Sequence, residues 1–190
     1  MPPADRLRRK LTVRAHGRTL VLVKRAEESG EHVVQKALLW LRYLPRYPGL
    51  RVEQHLPGPS RYKPDLYALD ATGQRPVFWG ECGVVSADKL RTLVRTHPDC
   101  HFAFSKWATR LDLFAALVDD ALAGLKRTAP VELIGFPPAA DAWLDDDEPA
   151  VADDAVERRV WVPLPGAGRA PHTDGAGPAV RAGARRADPR

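Results

Sequence analysis

The sequence predicts an α/β fold: a central mixed β-sheet flanked by helices, preceded by an N-terminal β-hairpin. Three observations lead there. Short apolar runs of strand length recur along the chain, segments with helical periodicity are interleaved among them, and the turn-forming pair His16-Gly17 divides the first two runs. With 190 residues, 44% of them hydrophobic, the chain holds material for one sizeable core and not for a second full domain.

The elements follow in order. Leu11–Lys24 holds two β-rich runs around His16-Gly17, as a hairpin requires. Ser29 is a suitable N-cap for a helix over Glu31–Leu44, in which Val34, Leu38 and Leu41 recur at helical spacing and Val33, Ala37 and Leu44 widen the stripe; Pro45 ends it. Arg51–Leu56 reads as a short strand and Pro57–Ser60 as a loop. Asp65–Asp70 and Val77–Cys82 read as strands joined by a turn through Ala71–Gln74. Ser86 caps a second helix to Arg95, with Leu90, Leu93 and Val94 on one side, and His97-Pro98 stops it. His101–Ser105 is a strand, Arg110–Leu125 a long helix and Val131–Phe136 a last strand.

After about residue 137 the composition changes. Residues 1–140 carry 22 Lys and Arg against 14 Asp and Glu, residues 141–165 carry 2 against 8, and residues 166–190 carry 5 against 2. The expected organisation is therefore a basic folded unit over 1–140, an acidic segment over 141–165, and an Arg/Gly/Pro-rich tail over 166–190 with too little apolar surface to offset chain ordering. Within the acidic segment, Val160–Leu164 is apolar enough to dock back on the domain or to serve as an interaction peptide. A basic body is compatible with a polyanion such as DNA or RNA, although solubility accounts for many such balances. Cys82 and Cys100 stand alone in apolar segments, which suggests neither a disulfide framework nor a zinc site and fits a reducing cytoplasm. Apolar stretches fall short of membrane-spanning length.

The residues with chemical promise lie on the hairpin between Tyr62 and Glu81. With the turn centred near Gly73, paired positions sum to a constant and Asp65 faces Glu81 across the ladder. Opposed carboxylates repel, so a protein that keeps them supplies compensation, and a divalent cation such as Mg²⁺ or Mn²⁺ is an obvious candidate; the alternative is that both sit at solvated strand ends. Glu31 is a third acid, in the first turn of the first helix, where the helix dipole by itself favours a carboxylate.

Lys63-Pro64-Asp65 and Glu81-Cys82-Gly83, set in this order of elements, resemble the restriction-endonuclease-like core of the PD-(D/E)XK nuclease superfamily. Thr19–Val23, Ser29–Leu39, Phe78–Gly83 and Ala87–Arg91 further resemble the YaeQ family, over roughly residues 10–107. The resemblance implies that Glu31, Asp65 and Glu81 hold the metal and that the chain is a Mg²⁺-dependent phosphodiesterase or nuclease acting on nucleic acid. Gly83 departs from that pattern, because strand period two places residue 83 on the face of Glu81, where the motif supplies a lysine. Lys89, in the following helix, is the first substitute; a solvated lysine beside Arg91 and Arg95 is the plainer account of it. Lys63 and Lys106 are weaker substitutes. The rival function is a non-catalytic nucleic-acid or protein interaction module that keeps the fold without the chemistry.

Other constellations are poorer. The histidines 16, 32, 55, 97, 101 and 172 show no paired ligand spacing, Ser105-Lys106 lacks a supporting nucleophile motif, and no phosphate-binding glycine loop is present. Trp40, Trp79, Trp107 and Trp143 read as packing residues.

Overall fold

A computed structural model of the chain describes residues 10–161. Strands β1 (Leu11–Ala15) and β2 (Arg18–Leu22) form a separate two-stranded antiparallel hairpin, with His16 and Gly17 both at positive φ in the turn. Helix α1 (Gly30–Tyr43) follows, its first turn capped by Ser29 Oγ, which accepts the His32 N–H at 3.2 Å. The six-stranded sheet comprises β3 (Arg51–Val52), β4 (Leu66–Leu69), β5 (Pro76–Cys82), β6 (His101–Trp107), β7 (Val131–Phe136) and β8 (Glu157–Val160), in that spatial order. Pairings β5–β6 and β6–β7 are parallel and the other three antiparallel, so the sheet is mixed. Helix α2 (Ala87–Thr96) makes the crossover from β5 to β6, and α3 (Asp112–Leu122) that from β6 to β7.

Each face of the sheet buries its own core. Phe78, Ala103 and Ile134 point towards α1, which packs on its far side against Val13 and Leu22 of the hairpin. Covered from both sides, α1 is apolar around most of its circumference, as a sandwiched helix must be. Trp79, Phe102, Phe104 and Leu133 point the other way, against Leu90, Leu93 and Val94 of α2 and Phe114 and Val118 of α3. Burial on both faces explains why β6 and β7 are buried at successive positions and do not alternate between apolar and polar residues. Among the described residues no helix is long and apolar enough to cross a membrane.

Several elements depart from the sequence expectations. β3 keeps two residues of the expected Arg51–Leu56 because Glu53 turns left-handed, at φ 55°. β6 runs two residues beyond Ser105, which brings Lys106 into the sheet opposite Gly135. The third helix is trimmed to Asp112–Leu122. The sheet also recruits a strand from beyond residue 140: β8 pairs with β7, and Trp161 extends the contact by donating its N–H to Val131 O at 3.1 Å. Of the expected docking segment Val160–Leu164, the paired part ends at Val160; residues 162–164 and the tail 166–190 lie outside the described residues.

A buried acid ties β8 in place. Glu132 of β7, 2% exposed, receives the Arg158 guanidinium on both oxygens, at 2.9 and 3.1 Å, and the Tyr43 hydroxyl at 2.9 Å, with His101 Nε2 3.2 Å away. Burial pushes the carboxyl pKa up, but the adjacent His101 and the Arg158 fork outweigh it and hold the group well below its ordinary 4.5. A carboxylate whose folded pKa is depressed contributes stability above its unfolded value and loses it as the pH falls. Wild type should therefore lose stability as the pH drops below 4.5, and Glu132→Gln should lose less over the same drop. At neutral pH, Glu132→Ala should cost about 1–3 kcal/mol in denaturant unfolding, because it leaves the buried Tyr43 hydroxyl without its acceptor and releases Arg158 from the sheet.

Candidate metal centre

The register of the β4–β5 hairpin puts the two hairpin acids side by side. Leu66 pairs with Gly80 and Tyr67 with Trp79, and the same register carried one step further sets Asp65 opposite Glu81. Their carboxylates nevertheless engage different sides of the sheet. Asp65 occupies a bend before β4 and is not held by the pleat. Its Oδ2 accepts the Cys82 N–H at 2.8 Å, and its Oδ1 lies 3.3 Å from His32 Nε2 of α1. Glu81, inside β5 and 4% exposed, follows Trp79 to the opposite face: Oε1 accepts the Trp79 indole N–H and Oε2 the Lys89 ammonium, both at 2.7 Å. Repulsion within the acid pair is thus countered by a separate partner for each member.

The electrostatics follow from these partners. For Asp65, burial favours the neutral acid, but His32, the Cys82 amide and the more distant Lys36 outweigh it and lower the pKa below 3.8. For Glu81, burial wins: its pKa is raised above 4.5, with the Asp65 charge adding to the rise and Lys89 and the Trp79 indole opposing it.

Glu31 does not join the other two acids. Its side chain makes no hydrogen bond or ion pair among the described residues and does not line the cleft beside Asp65. Among the described residues, no three His, Cys, Asp or Glu side chains are grouped so as to hold a metal ion together. The groups nearest Asp65 on the α1 side are others: a cleft of about 560 Å³ is lined by Glu28, His32, Lys36, Glu53, Lys63 and Asp65 among others. Lys36, 1% exposed, donates to both Glu28 and Glu53. Sequence reasoning missed this triad. Its one visible sign is a lysine on a helix that is apolar nearly all round; Glu28 and Glu53 meet it only through the fold. The left-handed turn at Glu53 belongs to the same arrangement.

The structure accounts for glycine at position 83. The backbone leaves β5 there with φ +73°, and a Cβ would lie 3.3 Å from His32 Nδ1. The position therefore disfavours any side chain. Lys89, first substitute for the missing lysine, has its ammonium on Glu81, with the Tyr62 ring centroid 5.5 Å away. Lys63 lines the Asp65 cleft, and Lys106 donates to the Gly83 carbonyl. Cys82 and Cys100 are both free and buried.

No family model matches this chain, and no curated protein does. The solved structures similar to it include two YaeQ proteins. The crystal structure of a YaeQ protein from Pseudomonas syringae shares 16% identity, covering 75% of this chain and 83% of that one, at a TM-score of 0.48. That of a YaeQ protein from Xanthomonas axonopodis pv. citri shares 15% identity, covering 79% of this chain and 93% of that one, at a TM-score of 0.47. Both likenesses are remote in sequence and partial in shape.

Gly83→Ala should cost about 1–2 kcal/mol, the penalty of a left-handed L-residue. Gly83→Lys, which restores the lysine of the motif, should cost at least as much in thermal or denaturant unfolding. Stability equal to wild type in either variant would show that the backbone does not impose this glycine.

Proposed function

We propose that this chain is a YaeQ-like member of the PD-(D/E)XK superfamily and a metal-dependent phosphodiesterase acting on nucleic acid. One observation carries the reading: Asp65 and Glu81 are cross-strand neighbours, and a lysine from the next helix, Lys89, reaches Glu81 at 2.7 Å where strand position 83 has no side chain to offer. The donor chemistry suits Mg²⁺ or Mn²⁺. Mg²⁺ takes hard oxygen ligands, needs one or two carboxylates and keeps several waters, so one acid of the pair suffices without Glu31, and ligation by both requires one carboxylate to leave its present partners and turn towards the other. A carboxylate offers about four lone-pair sites, and neither acid has all of them filled by its two partners within the chain.

When bound, the ion would polarise the scissile phosphate and lower the pKa of its water. The chain's own groups prepare the site. His32 and the Cys82 amide keep Asp65 ionised and fix its orientation, the Trp79 indole holds the Glu81 carboxylate in one rotamer, and Lys89 favours its charged form against the cost of burial. An ammonium held there also offsets negative charge developing on a phosphoryl group.

A second reading, a binding module that keeps the fold without turnover, is favoured by one feature: both oxygens of Glu81 already accept hydrogen bonds from the chain itself. Titrating Mg²⁺ and Mn²⁺ with single- and double-stranded DNA and RNA separates the two. The enzymatic reading expects metal-dependent cleavage that Asp65→Ala and Glu81→Ala abolish and that Lys89→Met lowers by roughly 10²–10³. Cleavage unaffected by Asp65→Ala and Glu81→Ala would overturn catalysis at this site, and no cleavage with any of these substrates would leave the binding module as the function.

A further inference from the structure

Lys106 is a partly buried cation that nothing in the proposed mechanism uses. β5 and β6 run parallel with Cys82 beside Ser105, and the Gly83 N–H continues the ladder to Ser105 O at 3.0 Å, so Lys106 comes to stand next to Gly83. Alternation along β6 puts Lys106 on the face of Phe102 and Phe104, the same face that Trp79 and Glu81 occupy on β5. Its ammonium donates to the Gly83 carbonyl and lies 3.6 Å from the centroid of the Phe114 ring.

No carboxylate within ion-pairing distance neutralises it among the described residues. Glu81 on the same face is paired with Lys89, and Asp112, at the start of α3, with Arg110 and Arg159. From β5 it faces the Gly83 carbonyl, and from α3 the Phe114 ring. An ammonium has three donors, and Gly83 occupies one. Burial lowers its pKa from 10.5 to about 8, Cys82 only partly opposing it, so the group is mostly charged at neutral pH and bears a desolvation cost that no opposite charge offsets. Groups perturbed in this way by burial cluster at functional sites.

We propose that Lys106 is a phosphate-binding residue: its ammonium, delivered from β6 beside the glycine at position 83, pairs with a phosphodiester oxygen of a nucleic-acid strand entering the Glu81–Lys89 site. This rests on the phosphodiesterase reading for the identity of the strand, and on the register and the missing counter-ion for the residue. Lys89 is spoken for by Glu81; Lys106 is not.

The test is equilibrium binding of a short fluorescently labelled single-stranded DNA by the full chain in EDTA, where no cleavage competes, over a range of salt and pH. Lys106→Met should weaken binding on every sequence alike and reduce the slope of log K against log salt by about 0.7, the loss of one phosphate contact on a single strand. Binding by wild type should weaken as the pH rises through about 8, where the ammonium is lost. Lys106→Arg keeps its charge to far higher pH and should retain binding without that decline. Thermal unfolding checks the fold; Lys106→Met should be no less stable than wild type, since it removes a charge that has no counter-ion.

An unchanged salt slope in Lys106→Met, or no wild-type binding at low salt, would overturn the proposal. Lys106-dependent binding together with no cleavage under any metal would sink the phosphodiesterase reading and leave the phosphate site standing. Metal-dependent cleavage that survives intact in Lys106→Met would do the reverse.

Discussion

The pleat of β5 is the constraint on which the rest of the molecule depends. Paired on both edges and covered on both faces, this strand sends Phe78 towards α1 and Trp79 towards α2, and it must alternate to its end. Glu81 is therefore committed to the α2 side, inside a packed wall. A charge there is tolerable only with partners, and Trp79 and Lys89 are those partners. Asp65, its neighbour across the ladder, precedes its own strand and is free to turn to the α1 side. One regular strand beside one irregular entrance thus divides two like charges between two environments.

The same logic recurs wherever the fold buries charge. Lys36 lies under the cleft between Glu28 and Glu53, whose hydrogen bonds and charges keep its pKa raised although burial alone would lower it. Glu132 sits beneath the Arg158 fork and locks the last strand to the sheet. Removing a member of either set leaves its partners desolvated, which is why such groups bear on stability more than their number suggests. Lys106 is the exception, a partly buried ammonium without a carboxylate partner, placed where the strand ladder and Gly83 meet.

Much of the architecture was legible in the chain because its determinants are local. The His16-Gly17 turn, the Ser29 and Ser86 caps, the helical stripes of α1 and α2, and the register that opposes Asp65 to Glu81 all follow from short-range pattern. Less visible was whatever depends on distant contact. β8 looked like part of an acidic segment because its pairing with β7 and the Arg158–Glu132 interaction join residues far apart in sequence. β6 was longer than its apolar run because Lys106 lies over Phe114 at the end of the strand, so a charged residue that looks like a terminator continues the ladder.

The sequence by itself determined the order of the elements, the hairpin pairing of the two acids and the vacancy at residue 83, since these rest on periodicity, turn chemistry and residue identity. Only the tertiary structure decided which side of the sheet each acid serves, that Lys89 meets Glu81, that Glu31 stands apart while Glu28 and Glu53 enclose Lys36, and that Lys106 binds the Gly83 carbonyl. Those outcomes depend on how helices from separate parts of the chain pack on opposite faces of one strand, and no local pattern encodes that.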